Sequence, residues 1–173
     1  MNIQKIYDKA ISSDVVPELI LNYKRSTISK KRLDTTEKRV DFLLQIFDPN
    51  TFDTKEEMVL LILDDLDHPV CFYRLGKGTG DSVEVMHKDL LAILITNHTS
   101  KFIIAHNHPD HNPLPSYGDI EFVHNIRMRT IMFGIEFEDS IIISRLDPEA
   151  EEGEEEYDVP HYFSLADNNL LFA

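Results

Sequence analysis

Six consecutive apolar residues, Met58-Val59-Leu60-Leu61-Ile62-Leu63, constrain the fold of this chain more than any other feature. Successive strand residues point to opposite faces, so a half-exposed strand alternates apolar and polar side chains. An unbroken run of this kind fits a strand covered on both sides. The flanking sequence offers the covering layers. Residues 64–68 form a turn-rich break, and residues 70–75 read as the returning strand of a hairpin. Residues 88–96 and 119–132 predict helices, while 101–105 and 140–144 predict short buried strands. Alternating strands and helices imply a mixed α/β fold, with the helices packed on the sheet.

Residues 1–51 lack strand alternation and read as a helical N-terminal extension, ahead of a domain spanning 52–173. One apolar patch there holds Ile11, Val15, Val16 and residues 19–21. A second holds Val40, Leu43, Leu44 and Phe47, at helical spacings of three and four. Thr35 suits the N-cap of that helix, and Asp48-Pro49 ends it, because the residue before proline disfavours helix. At 173 residues the chain is large enough for one real hydrophobic core. No apolar stretch approaches the roughly 20 residues that span a bilayer. The first residues also lack the apolar centre of a signal peptide, so a cytoplasmic protein without membrane contact is expected. The single cysteine, Cys71, excludes an internal disulfide and reads as a small core residue in a reducing compartment.

The formal net charge of -14 opposes non-specific binding to a nucleic-acid backbone. Much of the acid lies in residues 147–158, whereas residues 24–39 are basic, with Lys24, Arg25, Lys30, Lys31, Arg32, Lys38 and Arg39. Such a basic run reads as a solvated helix face. Gly76, Gly78 and Gly80 have phosphate-loop spacing, but no Gly-Lys-Ser/Thr follows, and a flexible loop is the reading preferred here.

Chemistry concentrates in His106-Asn107-His108-Pro109, at the end of the predicted strand 101–105. Two histidines one residue apart project to the same side of an extended segment. Seven residues separate His108 from Ser116, and two more separate Ser116 from Asp119. Two imidazoles and a carboxylate suit zinc, and three protein ligands leave its fourth position free for water. Ser116 fits the N-cap of the following helix with Asp119 at N3; capping alone can explain this pair, but the histidines upstream favour ligation by Asp119. His111 is read as lying in solvent rather than on a metal. A hydrolytic zinc site also needs a general base. Glu56 and Glu57 immediately precede the first core strand, and residue chemistry alone does not separate them. Ser116 can donate a hydrogen bond to a developing oxyanion.

The pattern His106-x-His108, seven residues, Ser116, two residues, Asp119 resembles the JAMM motif of the JAB/MPN metalloprotease superfamily. More narrowly, Ala105 to Pro109 (AHNHP) and Pro115 to Glu121 (PSYGDIE) resemble the RadC-like branch, as do residues 132–143 and 161–171. The resemblance covers about residues 52–171, which makes 147–158 an acidic insertion. It implies an MPN/JAMM-like, cytidine-deaminase-like mixed sheet flanked by helices. It further implies zinc on His106, His108 and Asp119, with Ser116 supporting the transition state. The family interval before the first strand selects Glu56, eight residues before Asp64, with Glu57 as the fallback. One departure is Asp110-His111-Asn112, where the family carries a glycine between Ser and Asp or Asn.

The leading expectation is therefore a zinc metallopeptidase, in which Glu56 activates zinc-bound water to cut a peptide or isopeptide bond in a protein or peptide substrate. The alternative is a metal-stabilised interaction module, or a DNA-repair or recombination accessory protein without proteolytic activity. A zinc deaminase needs a Pro-Cys-x-x-Cys ligand pair, which one cysteine cannot supply.

Overall fold

The computed structural model describes residues 22–78, 85–145 and 161–171. The patch expected around residues 11–21, Gly80 and the acidic stretch 147–158 lie outside the described residues. Among them are helices α1 (Thr36–Leu44), α2 (His87–Thr96) and α3 (Tyr117–Ile131). The strands are β1 (Glu57–Leu63), β2 (Pro69–Lys77), β3 (Lys101–Asn107), β4 (Glu136–Ser144) and β5 (His161–Ser164). They form one five-stranded sheet in the order β2-β1-β3-β4-β5. Pairing is antiparallel except between β3 and β4, which the α3 crossover makes parallel.

Every residue of β1 is buried, as its continuous apolar run requires. Its even-numbered residues Met58, Leu60 and Ile62 pack with Leu90 and Leu94 of α2 and Val123 and Ile126 of α3. Its odd-numbered residues Val59, Leu61 and Leu63 pack with Val40, Phe42 and Leu43 of α1. The sheet is thus covered on both faces. Cys71 packs at the edge of the first core, and burial pushes its thiol up.

The N-terminal region differs from its expected helical character. Residues 22–34 run without regular structure, and helix begins at Thr36, with the Thr35 hydroxyl accepting the Lys38 N–H. The basic residues in 24–32 therefore do not form a helix face. Apolar spacing predicts helix only where an apolar face exists to bury, and residues 22–32 offer just Tyr23 and Ile28.

A bulge at Glu138 sets the second half of β4: Phe102 pairs with Phe137, but Ile103 pairs with Asp139. The extra residue sends Phe137 to the first core, stacked on Phe102 with centroids 4.6 Å apart, and Asp139 to the α1 side. There Arg39 meets Glu138 at 2.6 Å and donates from Nε to the Leu33 carbonyl at 3.1 Å.

Candidate metal centre

His106 is the penultimate residue of β3 and is 2% exposed. His108 follows the strand, and its N–H donates to the Ile143 carbonyl at 3.0 Å, extending the parallel ladder by one bond. Both imidazoles thus stand at the C-terminal end of a parallel strand pair, where open α/β sheets place their ligands. Asp119 arrives from α3. Ser116 caps that helix: its hydroxyl accepts the Asp119 N–H at 3.2 Å, and its own N–H donates to Asp119 Oδ2 at 2.7 Å. Capping and ligation are therefore compatible, because the carboxylate has two oxygens. Oδ2 closes the cap, while Oδ1 lies 3.1 Å from His106 Nε2.

The three side chains converge. His106 Nε2 and His108 Nε2 are 3.1 Å apart, and His108 Nε2 lies 3.7 Å from Asp119 Oδ2. A tetrahedral site with ligand bonds of about 2.0–2.1 Å has edges of roughly 3.3 Å, so these separations match the size of a zinc coordination shell. The tautomer also fits. His108 Nδ1 lies 2.7 Å from the Asn112 carbonyl, which only accepts, so Nδ1 carries the hydrogen and Nε2 of the neutral ring presents its lone pair. Burial pushes the Asp119 carboxyl up, but hydrogen bonds and charge from His106, with hydrogen bonds from Ser116, outweigh it and hold the group below its ordinary value. It is a carboxylate at neutral pH, as a ligand requires. His106, His108 and Asp119 form a group able to hold a metal ion, and the donor set suits zinc.

The loop between the histidines and α3 explains how the chain manages without the family's glycine. His111 takes φ 62, the left-handed region in which a glycine would sit without strain. Its ring does not join the ligand group; Nδ1 lies 3.2 Å from the Arg145 carbonyl.

Strand register separates the two glutamates. Met58 pairs with His106 across β1 and β3, and continuing the alternation past Glu57, the first residue of β1, assigns Glu56 to the His106 face. Glu56 is 7% exposed, and its carbonyl accepts the Gly78 N–H at 2.7 Å. Glu57 points to the other face, where its carboxylate pairs with Arg74 and accepts the Asp48 N–H at 3.4 Å. The Ser116 hydroxyl directs its hydrogen to Asp119 Oδ2 at 2.6 Å, so it must rotate before it can donate to anything else.

Sequence reasoning passed over Asn107. It is fully buried and bonds to the loop that carries Glu56. A polar residue closing a buried strand, on the face opposite the histidines, was the available signal.

A mixed sheet with helices on both faces, and an imidazole pair at its parallel strand ends, defines a JAB/MPN-like α/β domain. Residues 19–152 match the RadC-like JAB domain family, and the chain belongs to it. Among similar proteins, a UPF0758 protein of Coprothermobacter proteolyticus is 23% identical over 120 residues, 69% of this chain and 51% of its own length. One from Aquifex aeolicus is 26% identical over 136 residues, covering 79% and 57%. Another, from Clostridium perfringens, is 27% identical over 121 residues, covering 70% and 53%. The chain spans about half the length of these curated relatives, whose names state no activity.

Proposed function

We propose that this chain is a zinc-dependent hydrolase of JAB type that cleaves a peptide or isopeptide bond, with Glu56 as general base. The observation that carries the reading is the convergence of His106, His108 and Asp119. Strand alternation, continued one residue past the start of β1, assigns the buried Glu56 to the same side. Zinc, when bound, lowers the pKa of its water to about 7 and polarises a carbonyl. The chain's own residues supply the rest. His106, His108 and Asp119 hold the cation, and Ser116 fixes Asp119 through the cap. Glu56 takes the proton from the attacking water and delivers it to the leaving amine. After rotation, the Ser116 hydroxyl stabilises the developing oxyanion. A module that only bound partners would need the metal ligands but not a buried glutamate at the head of the strand paired with His106.

The test is metal content and turnover on the full chain. The wild type is expected to hold one zinc per chain, and His106→Ala to lose it. Glu56→Gln keeps the zinc, while cleavage of a fluorogenic peptide library falls by about 10²-fold or more. Zinc-free wild type under non-chelating conditions, or undiminished cleavage by Glu56→Gln, overturns the reading.

A further inference from the structure

Asn107 stands between the two histidines but projects from the opposite face of β3. Its side chain is completely buried. The amide nitrogen donates to the Phe52 carbonyl at 2.5 Å and to the Lys55 carbonyl at 2.9 Å. The amide oxygen accepts the Glu57 N–H at 2.8 Å. A primary amide offers two donors and one acceptor, so its two N–H groups and its oxygen are all engaged by one loop.

That loop leads into Glu56. The backbone ladder between β1 and β3 runs from Leu63 opposite Lys101 to Met58 opposite His106 and stops there. At the next position the Asn107 side chain replaces the missing backbone partner by taking the Glu57 N–H. This contact keeps Glu57 in register opposite Asn107. By alternation, Glu56 then falls opposite His108 on the metal face. Arg145, the residue after β4, adds a second tie to the same loop. It pairs with Asp53 at 2.6 Å and lies 5.1 Å over the Phe52 ring.

We propose that Asn107 is a positioning residue, which clamps the loop of residues 52–57 so that its neighbouring histidines and Glu56 share one rigid frame. The proposal rests on the reading of Glu56 as general base. Aspartate cannot replace it, having no donors for the two carbonyls, and glutamine is one methylene too long for a filled site.

The test uses the full chain loaded with Co²⁺ as the spectroscopic probe, reading the pH midpoint of its visible absorption. A nearby carboxylate favours the protonated form of its neighbours, so removing its charge lowers that midpoint. Glu56→Gln is expected to lower it. Asn107→Ala, and the milder Asn107→Ser, lower it likewise while keeping one Co²⁺ per chain. Neither shifts it further in the Glu56→Gln background. Hydrogen exchange at the Glu57 amide rises by about tenfold or more in both. An unchanged midpoint in the Asn107 variants overturns the proposal, as does an equal shift in both backgrounds or loss of the metal. Where Asn107→Ala fails to fold, Asn107→Ser decides. A midpoint unmoved by Glu56→Gln overturns the general-base reading, and the proposal with it. A shift in Glu56→Gln with none in either Asn107 variant overturns the proposal alone.

Discussion

Asp139 has no exposed surface; it accepts the Ser164 hydroxyl at 2.7 Å and the Ala166 N–H at 3.0 Å. Burial pushes its carboxyl up to about 6, against these hydrogen bonds and the charge of Arg39. The folded state therefore holds a proton that the unfolded chain releases near its ordinary pKa of 3.8. The resulting stability is fully present below that value and is lost as pH rises through about 6. The predicted loss is on the order of 3 kcal/mol. Denaturant titrations from pH 4 to 7 should show wild type losing stability relative to Asp139→Asn; parallel curves would show that Arg39 already neutralises the charge. At His111, the left-handed conformation costs an ordinary residue about 1–2 kcal/mol, while glycine gives back about 0.5–1 in unfolded-state entropy. His111→Gly should thus change stability by no more than about 1.5 kcal/mol and leave metal content intact. Loss of metal in that variant would make His111 a ligand.

At the level of elements, α3 is both a layer of the core and the carrier of Asp119. Ser116→Ala removes the N-cap, which costs about 0.5–2 kcal/mol of stability. It also removes the hydroxyl that donates to Asp119 Oδ2, leaving the backbone N–H as that oxygen's partner, and loss of such a supporting bond lowers metal affinity by about 10–100-fold. Competition with a chromophoric chelator measures this, and Ser116→Thr should retain most of the affinity. The helix, its cap and the strand that carries His106 were all legible in the sequence, because each depends on local spacing. What was not legible depends on pairing between distant segments. Glu56 and Glu57 are chemically identical neighbours, and only the register of Met58 against His106 puts them on different faces. The bulge at Glu138 leaves no local mark, yet it decides that Asp139 faces Arg39. Asn107 reads as an incidental residue within His-Asn-His until the loop it binds, 50 to 55 residues earlier, is brought beside it.

For the whole molecule, a metal that binds only the folded chain adds stability by mass action. At free zinc about 1,000 times its dissociation constant, the gain is about 4.1 kcal/mol. In a domain of this size each kcal/mol shifts the melting temperature by about 2–4 °C, so zinc should raise it by roughly 8–16 °C. The net charge of -14 complicates the comparison, because any divalent cation screens self-repulsion in so acidic a chain. Magnesium separates the two effects. It demands oxygen ligands in an octahedral array and finds only one carboxylate beside two imidazoles here, so at equal ionic strength it supplies screening without ligation. Calorimetric scans of wild type with zinc, with magnesium and with chelator should show the large shift for zinc alone. His106→Ala should retain the small magnesium response and lose the zinc response. Equal shifts for both cations in both proteins would mean that charge screening, not the His106–His108–Asp119 site, sets the stability.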